Sequence, residues 1–520
     1  MRRTLATIVA VAAAGLAAVP AAQADSGRPT LPVCRESAHF VIHCAPGSVS
    51  GVYLDGAVGD FEEVYARDVA GGGADNNAGL RAPVADDDGK TDVYIMIPPG
   101  RPDFRGGTVY RDPSHVSGRG QSAFMFMTPD LDRGGFRFRA GHEFMHVLMR
   151  AYFGFYGPIY EESLANWAAE HALPDINAGD NNMRDPELSL DCVTDECGGG
   201  YWQWLFFQRQ TELFGDGFVT SLLEQSAAAP TLSGDFMSPS LREALNARTG
   251  RGDGMRVQFA DYARKVWDPT AWRTTALREI YDLSGTPAAD PDLGLWAGFP
   301  QTGPRTASVN RLAARYARLN LGEAGSDDDL RVTVQPPAGQ VAAPDVLYGP
   351  ELGARQDLAL TPDGAGGFTR TIAGPFGDNT VIVPMVNDSE TADGQQFTWH
   401  AELIRADAEA KVDRRQHLRT VLKKGLTVKI TAGKPVAISV SASVDSSTAR
   451  KYKLGKRKTR VTALVRKNLG AGTTAVKLKL SSKARKRLAK AKRVPFIVAG
   501  TGSFPRGTRV ELDWVGSIKR

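Results

Sequence analysis

Two histidines and a glutamate stand close together in the run Ala140-Gly-His-Glu-Phe-Met-His-Val-Leu148. On a helix His142 and His146 are four residues apart, so both imidazoles leave one face toward one point. Neutral imidazole nitrogens bind zinc at about 2.0–2.1 Å, and this spacing allows both bonds to one Zn2+ ion. Glu143 is turned by about 100° from His142 around the helix. From there a carboxylate reaches a metal's water without ligating the metal. A chance helix with two surface histidines and one glutamate would carry the same letters. Against that reading, Phe144, Met145, Val147 and Leu148 are apolar, as a buried helix requires.

A third ligand must come from elsewhere. After the Gly157-Pro158 turn, Tyr160–Glu170 offers a second helix with an acidic start, which would return a carboxylate to the two histidines. A His-Glu-x-x-His helix followed by a glutamate on a second helix resembles the gluzincin branch of zincin metallopeptidases. The resemblance implies an α+β, zincin-like catalytic domain that hydrolyses peptide bonds. It puts Glu162 in the third ligand place, 16 residues after His146. Glu161 is the nearest competitor and Glu170 a distant one. Glu143 would be the general base. Tyr201 would stand where such enzymes use a Tyr or His to donate to the oxyanion. Asn166, one turn after Glu162, falls where thermolysin-like members place a carboxylate that orients the first histidine, so asparagine there is a departure. No third histidine follows in the pattern of metzincins. Two other functions stay open: a catalytically inactive zincin-fold protein, and a cell-envelope-binding or adhesion protein whose activity lies outside the metal site.

Positioning such a site takes a sheet and several helices. Residues 38–44 read as an apolar strand, and a helix is expected over 58–69 with Phe61, Val64 and Tyr65 on one face. His39 and His43 share a strand face about 13 Å apart, too far to grip one metal. Asp86-Asp87-Asp88-Gly89 reads as a turn before a strand at 91–98. Asp86, Asp88 and Asp92 lack the full loop of a calcium site. Ser122–Thr128 is a further strand, and an exposed edge there would pair with an extended substrate. Residues 136–272 turn helical. After Pro300 short alternating segments broken by Gly, Pro and Asp predict β-sandwiches. The expected units are 25–285 (zincin-like), 300–410 (β-sandwich) and 415–520 (a basic, Ig-like β unit). Residues 35–270 are similar to bacterial exported metallopeptidase-like proteins, through His39-Phe40, Ile42-His43, Asp92-Val93-Tyr94 and Glu162-Ser-Leu-Ala165. Residues 418–514 are similar to Ig-like units of exported actinobacterial proteins, through Lys423-Lys424-Gly425-Leu426 and the basic helix expected at 481–490.

The amino terminus indicates an address. Arg2-Arg3, an apolar run to about Ala18 and the Ala22-Gln23-Ala24 triplet form a signal-peptide pattern over residues 1–24. Export and secretion are expected, with no membrane span in the mature chain. The four cysteines, Cys34 with Cys44 and Cys192 with Cys197, suit local disulfides in an oxidising compartment. A formal net charge of +5 conceals an asymmetry. Residues 411–520 hold 30 Lys and Arg against four acids, whereas the rest carries 33 against 54. Anionic cell-wall polymers are the expected partners of that basic unit, alongside a protein or peptide substrate at the metal site.

Overall fold

A computed structural model describes residues 28–72, 77–84, 87–152, 158–175, 188–192, 203–228, 239–272, 303–321, 324–341, 343–350 and 353–520. The expected leader, Tyr201, Cys197 and the boundary near 285–300 lie outside these residues. Among the described residues no helix is long and apolar enough to cross a membrane.

The chain opens as a mixed five-stranded sheet built from β1 (Val33–Glu36), β2 (Phe40–Cys44), β3 (Thr91–Ile95), β4 (Gly107–Ser117) and β5 (Gly120–Met127). Its order is β1-β2-β3-β5-β4. The inner strands β2, β3 and β5 run parallel, while β1 and β4 pair antiparallel at the edges. Parallel neighbours need a crossover, and helix α1 (Gly51–Asp68) supplies it between β2 and β3. Ser50 caps α1, accepting from Tyr53 N–H at 3.2 Å. Buried Leu54, Ala57, Phe61 and Val64 repeat at helical spacing and face the core. The helix starts seven residues before the expected 58, because its core stripe outweighs the helix-weakening Gly51, Gly56 and Gly59. The strand over residues 122–128 is a correction of a different kind. It lies in β5, inside the sheet, so its backbone groups are already paired and the free edge belongs to β4.

Among the described residues six further α-helices follow: α2 (Arg133–Arg150), α3 (Pro158–Ala172), α4 (Trp204–Phe214), α5 (Gly217–Ala228), α6 (Pro239–Thr249) and α7 (Gly254–Lys265). Asp132 caps α2, accepting from Gly135 N–H at 2.6 Å. Residues 140–149 of α2 are all buried. The helix is sandwiched between the sheet and its neighbouring helices, and its aromatic contacts reach β2 through the Phe40–Phe144 ring pair. The result is an α/β amino-terminal region whose main hydrophobic core runs from Phe40 to Trp272 and continues into Leu312, Tyr316, Leu347 and Ile382, with a smaller cluster of Tyr94, Phe124 and Phe126 beside it.

Antiparallel sheets occupy the carboxy-terminal half. Strands between Arg305 and Ile404 form a four-stranded and a five-stranded sheet around Trp399, Val332, Val381 and Phe376. This sandwich lies on α7, where Tyr316 donates to the Ala263 carbonyl and Arg264 meets Asp345 at 3.2 Å. A second pair of sheets, of three and six strands, follows. Its first strand, Ala408–Lys411, pairs with Leu426–Ala432, so this unit begins before the segment expected to link the two. The basic segment expected at 481–490 is a helix over Ser482–Leu488, capped by Ser481. Short helices also form at Leu418–Lys424 and Ser446–Lys451.

Candidate metal centre

His142 and His146 leave the buried face of α2 one turn apart, with side-chain exposures of 2% and 9%. Their Nε2 atoms lie 3.3 Å apart. Glu162, just past the first turn of α3, brings Oε2 to 3.2 Å from His142 Nε2 and 3.9 Å from His146 Nε2. Tetrahedral bonds of about 2.0–2.1 Å hold ligand atoms roughly 3.3 Å apart, so one ion can touch all three. Among the described residues this is the one cluster of three or more His, Cys, Asp or Glu able to hold a metal. Glu162 is 23% exposed, more than either histidine, so approach is from its side.

Two close approaches build the cluster. A Cβ placed on Gly141 would come within 2.7 Å of the Ala169 Cα, so α2 and α3 touch backbone to backbone at that point. A glycine inside a helix costs about 1 kcal/mol relative to alanine, and tight packing is the usual compensation. Nearer the turn, Arg150 at the end of α2 pairs with Glu161 at 3.0 Å. That contact turns Glu161 away and leaves its neighbour Glu162 facing the histidines. Glu170 is buried on the last turns of α3 and is not part of the cluster.

Asn166 takes the orienting place. Its Oδ1 accepts from His142 Nδ1–H at 2.8 Å, which leaves the Nε2 lone pair directed at the cluster. Burial holds His146 neutral by pushing its pKa down to about 3, against the opposing charge of Glu162. His146 is therefore presented as a neutral donor, the form a metal requires.

Glu143 is buried, 3% exposed, and is not a ligand of the cluster. Burial pushes its carboxyl pKa up, His142 and Arg139 pull it down, and the Glu162 charge adds to the rise. Arg139 stands 3.8 Å away. On the other side lies Gly107 of edge strand β4, where an added Cβ would sit 2.4 Å from Glu143 Cγ. A side chain at position 107 would displace the Glu143 carboxyl. The sequence alone marked Gly107 in no way, since the contact joins residues distant in the chain.

Other candidates resolve as local partners. His39 stacks on Tyr65 with centroids 3.6 Å apart and pairs with Glu62 at 2.7 Å. His43 pairs with Asp92 at 2.9 Å, and Asp92 also meets Arg28, so this acid does not join a calcium site. His171 lies beside Asp68, at 3.0 Å, and stacks on Trp167. It is a buried contact between α3 and α1. Cys34 and Cys44 form a disulfide. Cys192 is also disulfide-bonded, which removes these cysteines as metal ligands.

No family model and no curated protein matches the chain. Among solved structures, the lipase BlEst2 of Bacillus licheniformis in its propeptide form is 11% identical, with 76% of this chain and 87% of that one covered at a TM-score of 0.15. A DUF4785 family protein from Legionella pneumophila is 10% identical over 42% of this chain and 64% of its own, at a TM-score of 0.11. Likenesses this slight carry no argument about fold or activity. What the chain can do rests on its own residues, and these assemble a buried group, His142, His146 and Glu162, that could hold a metal ion.

Proposed function

We propose that this chain is an exported, zinc-dependent peptidase of gluzincin-like, zincin-fold type. The observation that carries the reading is a buried carboxyl, Glu143, next to a three-atom cluster of two imidazole nitrogens and one carboxylate oxygen. That donor set fits zinc: His and Glu are among its usual protein ligands, and three of them leave a position open. A zinc ion there would supply a Lewis acid and lower the pKa of a water toward about 7.

The chain's own residues then divide the work. His142, His146 and Glu162 hold the ion, and Asn166 keeps the first ring in its donor tautomer. Glu143 accepts the proton of the attacking water and hands it to the leaving amine; its raised pKa suits a group that must both take and give a proton near neutrality. The outer edge of β4 is the natural place for an extended peptide to add as a strand, because it ends the sheet and passes Glu143 at Gly107. Tyr201 remains a proposed donor to the oxyanion. Export accords with the leader pattern and with disulfide-bonded Cys34, Cys44 and Cys192.

The test is metal analysis of the purified chain together with a screen of proteome-derived peptides. One zinc per chain and metal-dependent cleavage are expected. A zinc-loaded chain that cleaves nothing would leave only the binding role, and iron in place of zinc would overturn the choice of metal.

A further inference from the structure

The basic sandwich carries its charge unevenly. At one end, the Lys434 turn and the Arg506–Thr508 turn meet the preceding sandwich. There Lys434 and Arg506 pair with Asp329, and the buried Asp327 accepts from the backbone of Arg506 and Thr508. The bases at this joint are neutralised. The other end is formed by the start of strand Leu426–Ala432 and the finish of strands Val436–Val444 and Gly472–Leu478. The start of Arg493–Ser503 and the finish of Trp514–Lys519 lie there too. Antiparallel register places them together, and Val436–Val444 separates the two ends by roughly 27 Å.

All three short helices stand at that far end, because each adjoins one of these strand termini. Residues 418–424, 445–460, 479–493 and 519–520 contain twenty Lys and Arg against one acid, Asp445. Every one of the twenty is exposed, and Asp445 is occupied in capping the Ser446–Lys451 helix. Solubility requires far less. Like charges gathered at one pole repel each other, so their accumulation there counts as a binding feature rather than a folding one.

The chemistry of the pole narrows what it can hold. Its aromatic residue, Tyr452, is half-buried, so no exposed platform stacks on nucleobases. The helices have six or seven residues, too short to read a duplex groove as recognition helices do. The exposed large apolar side chains of this unit are Leu464 and Val515, too few for insertion among lipid chains. What remains is charge alone, spread over the exposed bases of three short helices and their flanking turns. We infer that this pole binds a flexible, linear phosphodiester polymer through its backbone phosphates, tethering the chain while the metal centre faces other substrates. The inference is independent of the peptidase reading and would hold for a chain without hydrolytic activity.

The experiment uses the full chain and poly(glycerol phosphate) of defined length, with binding followed by calorimetry between 50 and 200 mM salt. Affinity should fall at least about tenfold across that range as counterions are retaken. The triple reversal K456E/K458E/K486E, at the pole, should lose at least tenfold. K429E/R466E/K467E, on the flanks of the same unit and equal in charge change, should stay within about threefold. Thermal unfolding of both variants checks that the sandwich is intact, and the wild-type salt slope stands by itself if one variant fails to fold. Equal losses in both variants would reduce the pole to net charge and overturn the proposal, as would absent binding. Oligothymidylate of matched phosphate number, or phosphatidylglycerol vesicles, binding more than ten times tighter than the polymer would overturn the choice of partner.

Discussion

The amino-terminal α/β region and the basic sandwich use charge in opposite ways. In the first, ionisable groups are buried and each meets named partners at short range: His142 with Asn166 and Glu162, Arg150 with Glu161, His171 with Asp68 and Asp216. In the second, twenty bases stand in water at one pole with one acid among them. A buried charge interacts strongly and must be met at fixed geometry, whereas exposed charges are screened beyond about 8–10 Å and contribute additively. Function in the first region should therefore hang on single atoms, and in the second on a sum. The contrast teaches which kind of substitution each region will notice.

The largest effect should come from Glu143→Gln. The ligands remain, so zinc content stays near one per chain, while peptide turnover falls by about 10²–10⁴-fold as proton transfer is lost. Wild-type turnover in this variant would remove Glu143 from the mechanism.

Next is the pair Glu162→Ala and Glu161→Ala, two neighbours with opposite partners. The first should release the metal on dialysis; the second, which breaks the Arg150 pair, should retain it. Metal loss confined to Glu161→Ala would move the ligand by one residue.

Gly141→Ala probes the contact that brings α3 to α2. With 2.7 Å between the new Cβ and Ala169 Cα, the helices must part, at a cost of about 1–3 kcal/mol. A lowered Tm with weaker zinc retention is expected, and an unchanged Tm would show that the helices yield freely.

A smaller, pH-dependent effect belongs to His171. Burial works against its charge, but the Asp216 and Asp68 carboxylates outweigh burial and raise its pKa to about 9. Asp216, at 3.9 Å, acts as a charge, while Asp68 accepts a hydrogen bond. The folded pKa lies above the unfolded value near 6.5. The contribution to stability is thus complete below about pH 6.5 and is lost as pH rises through 9. Tm measured from pH 6 to 9.5 should fall more steeply in the wild type than in His171→Gln; parallel curves would contradict the protonated pair.

The smallest expected effect tests the other side of the contrast. Lys458→Ala alone should weaken binding of poly(glycerol phosphate) by less than about threefold, since one exposed charge among twenty is lost. A tenfold loss would mean that the pole contains a defined pocket, and the two regions would then be alike.

Local rules were enough for much of this protein. The His142–His146 pairing follows from helical spacing, and the burial of their helix from the apolar Phe144, Met145, Val147 and Leu148. Alternating strands such as Val436–Val444 and the charge asymmetry are legible in the sequence for the same reason: each depends on residues within a few positions of one another. The choice of Glu162 over Glu161 was made there only by resemblance. In the fold it rests on Arg150, which is 11 positions from Glu161 in the chain. Which strand ends the sheet, which glycine backs Glu143 and which acids meet His171 were decided by packing. These contacts join residues dozens of positions apart, and nothing in a short window records which distant surface will fill the space beside it. The pole belongs to both levels: composition supplied the bases, and antiparallel register gathered them at one end.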